Sequence, residues 1–367
     1  MIFNYFLRPL DSLHEMQWAI YNFHFVTVLL APLVAGLGAW EGVRFSATKE
    51  AVDARNEARR AVTAIWASLM TWTSLAYLVG LTSVVIAVKL HGTPGHPYGT
   101  ALQTTPPALA LVGFACASGL VVGWKTEKWI SVAMMPLVVF AMILFGYSVD
   151  YAFVRVGGAG ASLISLSPRQ PVSAVQFSFY AAATITALGL SPRMPGMLSR
   201  GVFASIGVVI AAAILLAGTE DTLEVVRADV ACEGDRPEVC LTVEYERYRP
   251  DLIAALDPLV AAIKASGHPA PVRLTQDLSD VGPLVGFIPQ VRDTAEDPRL
   301  VATGAVINSY IHDCLSGDPD DPAQLEIVGS IVRWVDEIYD YAHGIREEPP
   351  PLLAAASRTL IDCATST

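Results

Sequence analysis

The chain has 367 residues, of which 53% are hydrophobic and only 16% charged, and its mean hydropathy is +0.46. This composition excludes an ordinary soluble globular protein, whose charged fraction is closer to a quarter. The net charge of −11 also excludes nucleic acid as a partner, because an acidic chain repels phosphate.

Charge and hydropathy divide the chain into two parts. Residues 1–218 carry 13 Lys and Arg against 8 Asp and Glu, whereas residues 219–367 carry 11 against 27. We therefore predict a transmembrane domain over 1–218, followed by an acidic domain over 219–367. The start of the chain lacks the pattern of a removable signal peptide, so the first apolar run is expected to stay in the protein.

A membrane-spanning helix needs about 20 mostly apolar residues. Six segments are predicted to span: 17–40, 62–88, 107–124, 129–149, 171–190 and 201–218. The fifth is the least hydrophobic, and a re-entrant or tilted element remains open for it. The predicted fold class is a polytopic α-helical membrane domain followed by a small mixed α/β domain.

The positions of Lys and Arg predict the orientation of these spans, since cytoplasmic loops are enriched in both. Three connections, 41–61, 125–128 and 191–200, share nine basic residues, and the alternate segments hold Arg8, Lys89, Arg155 and Arg169. We expect a multi-pass protein of the cell membrane. The three basic connections would face the cytoplasm, and the N-terminus and the C-terminal domain would face outward.

One polar residue and several small ones lie inside the spans. His24 is expected to pack with a hydrogen bond to a neighbouring helix rather than to relay protons. Small residues recur four apart, as at Ala35 and Ala39 or Ala115 and Gly119. Such pairs suit both a dimer and packing within one chain, and the sequence leaves both open.

The connection after the first span mixes acidic and basic residues at helical spacing, EGVRFSATKEAVDARNEARR. An interfacial helix and a plain cytoplasmic loop held by ion pairs both fit it. Residues 16–90 resemble permease subunits of exporter-type ABC transporters, in which such a loop forms a coupling helix against the ATPase. The resemblance implies that the coupling helix covers 41–61. The residues expected to contact the ATPase are Glu41, Arg44, Arg55, Arg59 and Arg60.

The tail segment VACEGDRPEVCLTVEYERYRPDLIAAL resembles the outward C-terminal domain of a group of actinobacterial ABC permease-like proteins. This resemblance implies a class of protein but does not indicate a substrate. The chain contains no GxxxxGK[ST] nucleotide-binding motif, so the resemblance implies a separate cytoplasmic ABC ATPase, and a homodimer or a sister permease as the membrane partner. Related permeases also have a span before this segment, so either the true start lies upstream or the chain is a shortened relative whose N-terminus faces outward.

The expected function is thus the membrane subunit of an ABC transporter, surrounded by membrane lipid. The alternative is a non-transporting membrane anchor or sensor whose outward domain binds a partner or ligand. No HExxH, GxSxG or paired-carboxylate framework organises His312, Asp313, Asp336, Glu337 and His343. We therefore expect no enzyme in this chain and no cofactor.

Four of the five cysteines follow residue 218, and an even number in an outward-facing domain indicates disulfides. We favour Cys232 with Cys240, separated by a hairpin-like EGDRPEV, and Cys314 with Cys363. Three pairings are possible and the sequence does not choose among them. A metal site is disfavoured because no CxxC spacing occurs. The tail is otherwise predicted to hold strands on both sides of the first cysteine pair, then helices near 248–266, 300–316, 323–342 and 351–364.

Overall fold

The structure is a computed structural model that describes residues 15–47, 55–91, 99–148, 156–157, 162–189, 197–217, 222–235, 237–280, 282, 284–288, 298–311, 322–352 and 354–365. The chain divides into two compact units. The first contains 1–160 and 167–224, and the second contains 161–166 and 225–367.

The first unit is built from helices. They are α1 (Met16–Phe23), α2 (Thr27–Ser46), α3 (Arg55–His91), α4 (Gly99–Leu102), α5 (Thr105–Thr126), α6 (Ile130–Ser148), α7 (Gln170–Gly189) and α8 (Met197–Ala217). A 3-10 turn, His24–Val26, joins α1 to α2. Two short strands, β1 (Leu166–Pro168) and β2 (Leu223–Val225), pair where the chain passes between the units.

Within the described residues, five helical stretches are long and apolar enough to cross a membrane: Met16–Ser46, Arg60–Leu90, Thr105–Thr126, Ile130–Tyr147 and Gln170–Gly189. They correspond to the first five predicted segments where these are described, and the fifth forms one 20-residue helix. Of the sixth predicted segment, residues 201–217 lie in α8, whose described apolar part, Ser205–Leu216, is shorter than a span. The chain is therefore mostly helical with several helices of membrane-spanning character.

Helices α2 and α5 pack closely because glycines on both helices admit the opposing backbone. A Cβ added at Gly119 would lie 2.0 Å from the carbonyl oxygen of Ala35, and one at Gly42 would lie 2.3 Å from that of Leu120. Larger side chains would force the helices apart. The small residues that suited either a dimer or internal packing are thus used inside this chain.

The second unit is a mixed sheet with helices. A four-stranded sheet has the order β3 (Val230–Glu233), β4 (Glu238–Thr242), β5 (Arg273–Thr275) and β6 (Val285–Phe287). Strands β3 and β4 are antiparallel, whereas β5 runs parallel to both β4 and β6. Helix α9 (Arg249–Ala265) connects β4 to β5, and α10 (Pro298–Ile311), α11 (Pro322–Ala342) and α12 (Ala354–Thr365) follow.

The second unit also has a hydrophobic core of its own, which includes Leu241 on β4, Leu259 on α9 and Trp334 on α11. Residues 161–166, which the sequence assigned to the membrane domain, belong to this unit. Ile164 joins its core, and the hydroxyl of Ser165 donates to Oδ1 of Asp277 at 3.1 Å. A segment far away in sequence thus contributes to the C-terminal fold.

Candidate functional site

An open cleft of about 580 Å³ lies at the C-terminal end of α2 in the first unit. Glu41 and Arg44 line it, together with Ile65 of α3 and with Glu127 and Trp129 of the turn between α5 and α6. Arg44 Nη1 donates to Glu41 Oε1 at 2.9 Å, and 62% of the Arg44 side chain is exposed. Two of the three basic connections predicted to share one side of the membrane therefore meet at one end of this unit.

Two aromatic rings line this cleft, and each contacts a further ring. Trp40 meets Trp129 edge to face, with ring centroids 5.4 Å apart, and both rings are largely exposed. Phe45 meets the buried Trp124 in the same way at 5.6 Å. Tryptophan concentrates where the hydrocarbon of a membrane meets water.

The predicted coupling segment 41–61 is not a separate surface helix in its described parts. Glu41 and Arg44 belong to α2, which continues to Ser46, whereas Arg55, Arg59 and Arg60 occupy the first turns of α3. A coupling helix over 41–61 stays a prediction, because the centre of this segment is not described. Arg60 is exposed, and residues 48–54 lie outside the described residues.

His24 lies in the turn between α1 and α2 and is fully buried. Its Nδ1 contacts the hydroxyl of Tyr77 on α3, and its Nε2 lies 3.3 Å from the carbonyl oxygen of Ala101 and 3.5 Å from Oγ1 of Thr105. The neutral ring with a proton on Nε2 satisfies both main contacts, since a carbonyl oxygen only accepts. The predicted hydrogen bond to a neighbouring helix is confirmed.

In the second unit, Cys232 and Cys240 stand directly opposite each other on β3 and β4 and form the predicted disulfide. Glu238 lies beside them, but the two sulfurs are bonded to each other and cannot act as thiolate ligands. The second predicted pair stays a prediction, because Cys314 lies outside the described residues and of Cys363 only the helical backbone is described.

Arg249 is a buried charge of the second unit, with only 5% of its side chain exposed. It donates to the carbonyl oxygens of Val239 on β4 and Ala231 on β3, and to both carboxylate oxygens of Glu246. The hydrogen bonds between the two side chains raise the pKa of Arg249 and lower that of Glu246. The guanidinium thus holds the hairpin against α9, which is a structural role.

The polar residues considered for chemistry in the second unit do not converge. Asp336 faces Arg299 at 3.8 Å, Glu337 pairs with Arg346, and His343 Nδ1 lies 2.8 Å from the carbonyl oxygen of Tyr339. His312 and Asp313 lie outside the described residues. In the part of the chain that the structure describes, these side chains therefore form ordinary surface pairs.

Comparison with protein-family models, with curated proteins and with solved structures finds no match for this chain.

Proposed function

We propose that this chain is the membrane subunit of an ABC-type transporter, driven by a separate cytoplasmic ATPase that docks at the cleft beside Glu41 and Arg44. The chain itself has no nucleotide-binding motif, so the energy would come from a second polypeptide. A second copy, or a sister permease, would complete the pathway. The C-terminal unit, with its disulfide, would lie on the outer side.

The observation that carries this proposal is the continuity of α3. This helix runs from Arg55 to His91, 37 residues, and is therefore about 55 Å long at 1.5 Å per residue. The hydrocarbon core of a membrane is about 30 Å thick, so part of the helix extends beyond it. Its basic first turns, which include Arg60, precede an apolar stretch. Force applied to those turns would move the whole span as a rod.

The cleft offers a surface to which side chains of a partner can bind. Glu41, Arg44 and Glu127 supply charged groups to its lining, and Trp129 supplies an aromatic ring. The exposed Glu41–Arg44 pair contributes at most about 1 kcal/mol to stability, since solvent screens such pairs. Its charges remain accessible to a partner, and binding surfaces commonly combine arginine with aromatic rings.

Purification of the tagged full chain from its own host in mild detergent, followed by mass spectrometry of the accompanying proteins, tests the proposal. We expect an ABC ATPase in the complex. Replacing Arg44→Glu and Arg60→Glu together should release it. Arg358→Glu, the same change at an exposed position in the C-terminal unit, is the matched control and should retain it.

An ATPase that stays bound to the double variant would show that docking lies elsewhere. A chain that purifies without any ATPase, whatever the detergent, would contradict the transporter. That result would favour the alternative of a membrane anchor whose C-terminal unit binds a partner.

A further inference from the structure

A second cavity of the first unit lies among helices α3, α5 and α7. It is an open groove of about 770 Å³, a volume in the range of sites for small molecules. On α3 it extends from Trp66 to Leu81, about 22 Å along the helix axis at 1.5 Å per residue. It therefore follows most of the depth of a hydrocarbon core.

The lining of this groove contains no charged residue and consists mainly of apolar side chains. Leu78, Phe177 and Ile185 line it and are also strongly exposed, at 45%, 45% and 56%. The groove thus opens sideways onto the apolar surface that membrane-spanning helices present to lipid. A molecule dissolved in the membrane could enter it without crossing water, whereas an ionised group would lose its hydration with nothing in exchange.

Three hydroxyl groups interrupt the apolar lining. Thr184 donates to the carbonyl oxygen of Tyr180 at 2.8 Å, as helical threonines commonly do, and Thr105 contacts His24. Ser74 differs, because its hydroxyl has no hydrogen-bond partner in the part of the chain that the structure describes. A hydroxyl in an apolar setting is costly unless it is bonded. Ser74 can therefore bond to a polar atom of a molecule in the groove.

From these features we infer that the groove binds a long-chain apolar molecule carrying an uncharged hydrogen-bonding group, such as a fatty alcohol. The chain would lie along α3 between α5 and α7, and its polar group would bond to Ser74. The inference deepens the proposed function, on which it rests, by naming the class of substrate for the transporter.

Photolabelling of the purified full chain in lipid nanodiscs tests this inference. The probes are hexadecanol and hexadecane, each carrying a diazirine, and peptide mapping locates the label. We expect hexadecanol to label α3, α5 and α7 at the groove and to be displaced by unlabelled hexadecanol. Ser74→Ala should weaken hexadecanol labelling about fivefold, the value of one hydrogen bond, and leave hexadecane labelling unchanged.

A filling substitution provides the second arm. Ala181→Trp places an indole in the groove and should abolish labelling by both probes, and Ala110→Trp should do the same from α5. The matched control is Ala76→Trp, at an exposed position on the face of α3 opposite the groove, which should label as the parent chain does. Size-exclusion chromatography confirms that each variant is folded.

Equal labelling of all variants, spread over the exposed helix surfaces, would overturn the inference and indicate annular lipid contacts only. The same experiments distinguish a failure of the transporter proposal from a failure of the groove proposal. Groove labelling without any bound ATPase would contradict the transporter alone, and a bound ATPase without groove labelling would contradict the groove alone.

Discussion

The hydroxyl of Tyr77 lies 2.5 Å from Nδ1 of His24, which precedes it by 53 residues, and this contact joins α3 to the break between α1 and α2. Tyr77→Phe removes the hydroxyl and leaves a buried imidazole nitrogen unpaired. We expect a loss of about 1–3 kcal/mol in the free energy of unfolding. Unfolding of the detergent-solubilised chain by sodium dodecyl sulfate measures it.

Thr71→Val is the control for this prediction. Its hydroxyl lies on the exposed face of the same helix and bonds only to the carbonyl oxygen of Ala67, so the change should stay within about 0.5 kcal/mol. Parent-like stability of Tyr77→Phe would mean that the contact contributes nothing.

Because α2 and α5 approach so closely, we expect a single added methyl group between them to lower the free energy of unfolding strongly. In Gly119→Ala the new Cβ would meet the Ala35 carbonyl oxygen, so we expect a loss of at least about 2 kcal/mol. At Gly207 on α8 nothing lies within 4 Å of an added Cβ, and Gly207→Ala should be neutral or slightly stabilising. Thermal unfolding in detergent compares the two, and equal melting temperatures would refute the packing.

Hydrophobic periodicity and composition predicted most of the helices. Five predicted spans coincide with helices, and the four predicted C-terminal helices correspond to α9 to α12 where they are described. Strands β5 and β6 were missed because three residues each are too few for a period to register. Their pairing depends on the crossover through α9, which is a long-range feature.

The cleft beside Glu41 was predicted less completely than the helices, because it depends on contacts between residues far apart in the sequence. Basic residues marked one end of the membrane unit, but the sequence did not show that Glu127 and Trp129 share a cleft with Glu41, since residues more than 80 positions apart meet only through helix packing. The membership of 161–166 in the second unit was equally hidden. It depends on Ser165, whose φ of 58° and bond to Asp277 leave no sequence signature.

The disulfide predicts a specific pattern of thiol reactivity. In the folded chain without reductant, Cys232 and Cys240 should resist alkylation, and non-reducing peptide mapping should recover them as one linked pair. Reduction should destabilise the second unit by about 2–3 kcal/mol, as expected for a short loop. Cys116, which is free and buried in the first unit, is an internal reference that alkylates only after unfolding. Alkylation of Cys232 in the native oxidised chain would contradict the bridge.

The second unit should lose stability in mildly acidic solution. Burial lowers the pKa of His268, whose ring packs edge to face on Trp334 with centroids 4.9 Å apart. The unfolded chain, with a histidine pKa of about 6.5, then binds the proton more readily than the folded one. The stability that the second unit gains with His268 neutral is fully present above about pH 6.5 and declines as the pH falls below this value.

Urea unfolding, followed by the fluorescence of Trp334 and the other tryptophans between pH 7.5 and 5.5, measures how the free energy of unfolding changes with pH. His268→Gln cannot titrate and should flatten it. An unchanged slope in this variant would assign the pH dependence to other groups.

The proposed function requires the cleft to face the cytoplasm and the C-terminal unit to face outward. Single cysteines can be introduced by Ala47→Cys at the cleft and by Asp257→Cys on α9, both exposed positions, in a chain whose Cys116, Cys314 and Cys363 are replaced by alanine. A membrane-impermeant maleimide is then added to intact cells. We predict that the Asp257→Cys chain reacts at once and the Ala47→Cys chain only after permeabilisation. The reverse pattern would put the cleft outside the cell, out of reach of any ATPase, and would contradict the proposed function.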